Sequence, residues 1–317
     1  MENQENKVME YARSVLDQVR KVIVGKDDVL LWVLASILAK GHILMEDIPG
    51  VGKTTMALAF SKALGLQQNR MQFTPDVLPT DVTGYSVLDQ ATGKLVYQKG
   101  AVLCNLFLAD ELNRATSRTQ SALLEAMEEG QVTVDGNTYA LPAPFTVIAT
   151  QNPVGAAGTQ LLPDSQLDRF MVRLTLGYPD PKAELEMVKS RQGQNPLSQV
   201  QPVLSAQELT ALQQEVEQTH IGDEVTAYVV DLIYATRTHE DFLRGASPRA
   251  TLAVVAMAKA VARLRGRDYV VPRDVQEVLL PTLAHRVSLS HGAQAQGMTT
   301  QEVLQKILGV VRAPKIR

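Results

Sequence analysis

One stretch of the sequence has the residue types and the spacing of a phosphate-binding loop. It lies between a short apolar run and a helical pattern and consists of Asp47, Ile48, Pro49, Gly50, Val51, Gly52, Lys53, Thr54 and Thr55. Gly50 and Gly52 let backbone N–H groups approach anionic oxygens closely. Lys53 offers a positive charge to the β- and γ-phosphates of a nucleotide, and the Thr54 hydroxyl can bind Mg²⁺. The loop therefore predicts binding of ATP with Mg²⁺.

The first position of this loop departs from the usual pattern, because Asp47 stands where a glycine is typical. Aspartate is among the few residues that tolerate unusual backbone angles in turns, so the loop can still form. Its carboxylate would then have to point away from the phosphates. A glycine-rich turn that merely precedes a helix is the alternative interpretation of these residues.

Two adjacent acids, Asp110 and Glu111, follow a later apolar run that starts at Leu106. Asp110 would hold the Mg²⁺ shell, and Glu111 would orient and polarise the attacking water. Two acids at the end of a strand are often only solvated, so this motif is weak by itself. Combined with the phosphate loop, it predicts ATP hydrolysis.

Three further polar residues could complete such a site. Asn152 follows the fourth apolar run and could reach the γ-phosphate or the attacking water, although an Asn-Pro turn that closes a strand explains it equally well. Arg169 and Arg249 could each approach a nucleotide, but a lone surface arginine is more often a solvated charge. Sequence spacing alone leaves these alternatives open.

The elements that must position these residues alternate between strands and helices. Apolar runs predict strands at residues 42–46, 69–73, 106–110, 145–150 and 171–175, and helical patterns lie at residues 8–22, 28–39, 55–64 and 116–129. This alternation predicts an α/β fold with a five-stranded parallel sheet between helices. Residues 85–99 and 131–141 have the pattern of inserted β-hairpins, which are expected on the surface.

The C-terminal part of the chain has a different character. Residues 192–202 are rich in Gln, Gly, Pro and Ser and indicate a linker, and only helical patterns follow it. Ser247 is placed to cap a helix that begins with Pro248. We therefore predict a core over residues 1–194 and an all-α domain over residues 195–317.

Charge and hydropathy limit the class of protein. The formal net charge of −3 gives no bulk reason to expect nucleic-acid binding. The N-terminal residues lack the apolar centre of a secretory signal, and the longest apolar runs are too short to span a bilayer. A soluble, cytoplasmic protein is the expectation.

Taken together, these motifs resemble the MoxR family of AAA+ ATPases over nearly the whole chain. The most specific part runs from Asp110-Glu111-Leu112-Asn113-Arg114-Ala115 into the helical pattern that ends at Glu129. The resemblance implies a five-stranded AAA+ core followed by a helical lid, with ATP at their junction. It also implies a homo-oligomeric ring, expected to be a hexamer.

The resemblance assigns roles to single residues. Val24 and Gly25 match the segment that lines the adenine, and Asn152 matches the sensor-1 position. Arg249 matches sensor 2, which reaches the phosphates from the lid, and Arg169 matches the arginine finger supplied to the neighbouring subunit. The two hairpins are similar to the helix-2 insert and to the insert before sensor 1.

The resemblance also implies a task, which is the remodelling or maturation of protein substrates together with separate partners that carry von Willebrand factor A domains. A motor subunit for metal insertion, as in the chelatases, and a nucleotide-dependent scaffold with negligible turnover remain alternatives. DNA unwinding is disfavoured because the hairpin tips at residues 89–93 and 135–138 are acidic or neutral.

Overall fold

The computed structural model describes residues 7–48, 50–152, 162–190 and 195–315. Pro49 of the phosphate loop therefore lies outside the described residues. The helices are α1 Lys7–Arg20, α2 Asp27–Leu38, α3 Lys53–Ala63, α4 Pro79–Thr83, α5 Ser117–Glu129, α6 Asp164–Leu167, α7 Pro181–Ser190, α8 Ala206–Glu217, α9 Asp223–Thr238, α10 Pro248–Leu264, α11 Pro272–Leu283, α12 His291–Ala295 and α13 Thr300–Val310. The strands are β1 Ile43–Glu46, β2 Gln68–Gln72, β3 Gly84–Asp89, β4 Lys94–Lys99, β5 Leu106–Asp110, β6 Gln131–Val134, β7 Asn137–Ala140, β8 Thr146–Gln151, β9 Val172–Leu174, β10 Phe242–Arg244 and β11 Ser288–Leu289.

The central sheet has the strand order β2-β5-β8-β1-β9, and all of its neighbouring strands are parallel. The predicted five-stranded parallel sheet is thus confirmed. Its register pairs Glu46 of β1 with Gln151 of β8, and Gln72 of β2 with Asp110 of β5. The residues that follow these strands therefore emerge at one edge of the sheet.

Side chains of the strands alternate between two apolar layers, as the two-residue period of a strand requires. Leu106 and Leu108 of β5 pack into a layer that contains α1, α2 and α3. Phe107 and Ala109 pack into the opposite layer, which includes Leu123 of α5. Strand β5 is completely buried, so the acids at its end project from a fixed support.

The two predicted hairpins are present as the antiparallel pairs β3–β4 and β6–β7. Tyr97 of the first hairpin stacks on Tyr139 of the second, with ring centroids 3.9 Å apart and planes 13° from parallel. The Tyr97 hydroxyl also donates a hydrogen bond to the carbonyl oxygen of Thr83 at the end of α4. These contacts join both hairpins to each other and to the core.

The C-terminal region is helical, as predicted, with one addition. Strands β10 and β11 form a short antiparallel pair, and runs of two or three residues are too short to show a strand period in the sequence. Ser247 caps α10 through its side-chain oxygen, and Pro248 is the first residue of that helix. No helix in the described part of the chain combines the length and the apolarity needed to cross a membrane.

Candidate nucleotide site

The phosphate loop has the backbone angles that its glycines permit. Gly50 has φ of 87° and Gly52 has φ of 98°, and α3 begins immediately afterwards at Lys53. A Cβ atom at Gly50 would meet no atom of the described residues within 4 Å, so the positive φ, rather than crowding, calls for glycine there. The free N–H groups at the start of α3 thus face the loop, as anion binding requires.

Lys53 is held inside this loop. Its side chain is only 7% exposed, and Nζ donates hydrogen bonds to the carbonyl oxygens of Asp47, at 2.6 Å, and Ile48, at 3.2 Å. Burial lowers the pKa of Lys53, while the carboxylates of Asp47, Asp110 and Glu111 act in the opposite direction. The ammonium group is therefore already oriented by the loop into which phosphates would enter.

Asp47 uses its carboxylate to tie the loop to the chain beyond β9. One carboxylate oxygen accepts a hydrogen bond from the backbone N–H of Ile48 at 2.8 Å, and the other accepts one from Gly177 at 2.6 Å. The carboxylate is consequently occupied by backbone donors. The departure from glycine at this position thus has a structural role.

Asp110 and Glu111 are positioned by Thr150, which lies at the end of the neighbouring strand β8. The Thr150 hydroxyl donates to Oδ1 of Asp110 at 2.7 Å and accepts from the backbone N–H of Glu111 at 2.9 Å. Glu111 has a left-handed backbone with φ of 54°, which turns the chain sharply after the strand. Sequence reasoning missed Thr150, because nothing in the spacing shows that β8 lies beside β5.

Asn152 connects the acid to the lysine. Its Nδ2 donates to Oε1 of Glu111 at 3.2 Å, and its Oδ1 lies 3.5 Å from Nζ of Lys53. Lys53, Glu111 and Asn152, which are far apart in the sequence, therefore form one polar cluster at the carboxyl edge of the sheet.

Two arginines without a predicted role also contact the acids. Arg70 on β2 donates to Oδ2 of Asp110 at 2.7 Å, and Arg114 donates to Oε2 of Glu111 at 2.9 Å. The register of β2 against β5 places Arg70 two residues before the level of Asp110. Adjacency of β2 and β5 in the sheet is the signal that would have identified this contact.

A cavity of about 320 Å³ adjoins the loop. Its lining includes Val24, Lys26, Gly50, Val51, Gly52, Thr55, Tyr178 and Ala183. Gly25 has φ of 72° and packs against Ala183. In the described part of the chain this cavity lies between residues 22–26 and residues 176–187. Both segments precede the lid in the sequence. The position of ATP at the junction of core and lid stays a prediction.

Arg169 and Arg249 lie elsewhere, on either side of one carboxylate. Nη1 of Arg169 is 3.3 Å from Oε2 of Glu128, and Arg249 donates to Oε1 of the same residue. They line a cavity of about 340 Å³ together with Lys40, Gly41 and His42.

The residues 40–42 precede β1, whereas the phosphate loop follows it. A four-residue strand rises about 13 Å. The two arginines therefore occupy the opposite edge of the sheet from Lys53. Within its own chain Arg249 contacts Glu128 beside residues 40–42, and its contact with nucleotide phosphates stays a prediction.

The donor groups at the loop fit a nucleotide with Mg²⁺. Among the described residues no cluster of three or more His, Cys, Asp or Glu side chains could hold a metal ion by itself. Mg²⁺ needs no such cluster, because it binds through one or two protein oxygens together with phosphate oxygens and water. The Thr54 hydroxyl and the Asp110 carboxylate have this chemistry.

Known proteins give an independent comparison. Residues 42–172 match the ATPase family associated with various cellular activities (AAA), and residues 234–307 match the AAA lid domain. The chain is 44% identical to YeaC of Bacillus subtilis, over 94% of this chain and 93% of that protein. It is 39% identical to Chaperone MoxR1 of Mycobacterium tuberculosis, over 94% of this chain and 81% of the relative.

A solved structure agrees. The crystal structure of a candidate ATPase from Cytophaga hutchinsonii superposes with a TM-score of 0.89 at 39% identity, covering 98% of this chain and 97% of that one. Sequence, domain order and fold thus lead to the same group of proteins. This chain belongs to the MoxR family of AAA+ ATPases.

Proposed function

We propose that this protein hydrolyses ATP, with Mg²⁺, at sites shared between identical subunits of a ring, and that it uses this reaction to remodel partner proteins. The observation that carries the proposal is the separation of two groups of residues. Lys53, Asp110, Glu111 and Asn152 gather at one edge of the sheet, and Arg169 and Arg249 gather at the other. A complete site then needs one edge from each of two subunits.

The residues of the phosphate-loop edge bind and orient the reactants. The backbone N–H groups before and within the first turn of α3 donate hydrogen bonds to phosphate oxygens, and Lys53 neutralises part of the phosphate charge. Thr54 and Asp110 would hold Mg²⁺, which supplies charge neutralisation on the phosphates when it is bound. Asn152 donates a hydrogen bond to the Glu111 carboxylate. This carboxylate orients the attacking water and acts as the general base that accepts its proton.

Arg169 and Arg249 supply further positive charge to the transferred phosphoryl group. An arginine provided by a neighbour can raise the rate of phosphoryl transfer by about 10³–10⁵, or some 4–7 kcal/mol of barrier. An isolated subunit is therefore expected to be a poor ATPase. We extend to Arg249 the role in trans that the resemblance gave only to Arg169.

Mixing two inactive variants tests this arrangement. Arg169→Ala subunits keep their own loop but cannot supply the finger, and Lys53→Ala subunits can supply the finger but cannot hydrolyse ATP. The mixture should regain part of the wild-type ATPase rate, whereas each variant alone should stay inactive. No recovery in rings shown by fluorescence transfer to contain both variants would refute a site shared between subunits.

Remodelling of proteins is supported by the exposed hairpin β3–β4. Leu88 and Leu95 face each other across this hairpin and are 57% and 66% exposed. Exposed apolar side chains favour contact with protein chains, whereas nucleic acid needs a basic surface. The family resemblance adds a ring of six subunits and separate partners with von Willebrand factor A domains to this proposal. The hairpins would then face the protein substrate.

A further inference from the structure

Glu128 lies between the two arginines that the proposed function assigns to the neighbouring subunit's site. It is the penultimate residue of α5, and its side chain is 37% exposed. One carboxylate oxygen contacts Arg169 and the other contacts Arg249, so a single anion bridges two guanidinium groups.

The other charges that line this cavity have partners of their own. Nζ of Lys40 is 2.6 Å from a carboxylate oxygen of Glu217, and Nε of Arg286 is 2.9 Å from Oδ1 of Asp168. Within the described chain, the two positive charges of Arg169 and Arg249 are opposed by the single negative charge of Glu128. The cluster therefore carries an excess positive charge that suits a more highly charged anion.

The backbones that carry the two arginines are fixed to each other. Arg286 of the lid is buried and donates to Oδ1 of Asp168 and to the carbonyl oxygens of Asp168, Phe170 and Met171, which surround Arg169 in the chain. The Ser247 hydroxyl donates to Oδ2 of Asp168 at 2.9 Å and also caps α10, where Arg249 lies in the first turn. Burial lowers the pKa of Arg286 to about 10, and Asp168 opposes this shift.

The arginine pair is thus built on a rigid support, while its counter-ion is a partly exposed side chain at a helix end. A carboxylate and a phosphate present similar pairs of oxygens to a guanidinium group, and arginine binds both through two parallel hydrogen bonds. Glu128 consequently occupies the donors that a phosphate would use.

We propose that Glu128 is an internal substitute for the neighbouring subunit's phosphate. It keeps Arg169 and Arg249 together in the unassembled subunit and is displaced when a nucleotide-loaded neighbour docks. This role rests on the proposed function, because it requires both arginines to act in trans. Glu128 is a positioning residue that acts through the arginines, and its contacts compete with assembly of the shared site.

The test changes Glu128 only in the subunit that donates the arginines. Lys53→Ala/Glu128→Gln subunits are titrated into Arg169→Ala subunits, whose own hydrolytic residues are unchanged, and the recovered ATPase rate is recorded against donor concentration. Glutamine keeps the shape and one acceptor but removes the competing charge. We expect half-maximal recovery at a donor concentration about two- to tenfold lower than with Lys53→Ala alone, the range that two partly exposed ion pairs allow.

Glu129→Gln in the same Lys53→Ala background is the matched control, because it removes the same charge from the adjacent exposed residue. It should leave the half-maximal concentration unchanged. Equal or weaker recovery with Glu128→Gln donors would overturn the role of Glu128. If the Lys53→Ala donors themselves fail to restore ATPase activity, the result is a distinct one. It would refute the site shared between subunits and therefore also the role of Glu128.

Discussion

Asp110 and Glu111 of the candidate site are held by a residue that has no charge. Thr150 is completely buried, and its single hydroxyl is bonded both to the carboxylate of Asp110 and to the backbone N–H of Glu111. Both acids thus share one support on the neighbouring strand. A small displacement of this hydroxyl would move the proposed Mg²⁺ ligand and the proposed catalytic acid together.

We predict that Thr150→Val lowers kcat by at least about tenfold and lowers stability by about 1–3 kcal/mol, because a buried acceptor and a buried donor lose their partner. Thr150→Ser keeps the hydroxyl and should retain most of the activity. Steady-state kinetics and thermal unfolding of the three proteins measure both effects. Wild-type kcat in the valine variant would show that the acids do not need this support.

At the scale of elements, the carboxyl edge of the parallel sheet gathers the phosphate loop and its acids, and the amino edge gathers the arginines. His42 links three elements at the amino edge. Its Nδ1 accepts from the backbone N–H of Val147 at 3.0 Å, and its Nε2 donates to the carbonyl oxygen of Met127 at 3.0 Å. The start of β1 is thereby linked to β8 and to the end of α5. Only the neutral ring can make both bonds.

Protonation of His42 should therefore weaken the fold. Burial lowers the pKa of His42 to about 4, although the bond to Met127 acts in the opposite direction. An ordinary histidine titrates near 6.5, so between about pH 6.5 and pH 4 the unfolded chain binds the proton and the folded chain does not. Stability is full above this window and falls as the pH is lowered through it. We expect a loss of roughly 1–3 kcal/mol.

Thermal unfolding between pH 7.5 and pH 5 measures this effect. His42→Gln keeps a neutral donor and acceptor but does not titrate, so its melting temperature should depend less steeply on pH than that of the wild type. His285, whose pKa is also lowered by burial, remains in both proteins and contributes equally. Parallel pH profiles for the two proteins would exclude His42 as the source.

The exposed leucines of the hairpin β3–β4 are predicted to contact the protein substrate. Leu88→Ser/Leu95→Ser should leave the basal ATPase rate within about twofold, because both side chains are exposed and surface substitutions usually perturb a fold little. It should abolish stimulation of the ATPase by an unfolded protein such as casein. Leu243→Ser, at a residue of the lid that is 68% exposed, is the matched control and should keep the stimulation. Full stimulation of the hairpin variant would argue against a substrate contact there.

At the scale of the whole molecule, core and lid share one apolar cluster. The cluster includes Val15 of α1 and Leu34 of α2 as well as Leu209 of α8 and Val254 of α10. The lid is therefore packed on the N-terminal helices, and through Arg286 it is also fixed to the segment that carries Arg169.

Because the proposed shared site is incomplete in one subunit, specific ATPase activity should fall as the protein is diluted below the concentration at which the proposed rings form. The loss should approach the 10³–10⁵ range that an arginine in trans accounts for, to order of magnitude. ATPase assays across a dilution series, matched to light scattering, measure this dependence. Arg169→Ala should show low activity at every concentration. Constant specific activity in fully dissociated wild-type protein would contradict the shared site.

The local chemistry of this protein could be predicted from its amino-acid sequence. The spacing of Gly50, Gly52 and Lys53 between a strand and a helix identified the loop, and the acids after β5 identified the second motif, because both depend on residues adjacent in the chain. The alternation of strands and helices likewise predicted the parallel sheet, which the structure confirms.

How distant segments of the chain meet is visible only in the tertiary structure. It placed Thr150 and Arg70 beside Asp110, because strand order is set by packing of whole strands and leaves no local signal. It also places Arg249 at the same edge of the sheet as Arg169 and Glu128. A lid can pack on either side of a core without any change in its own helical pattern, so its position follows from the buried contacts it makes with the core.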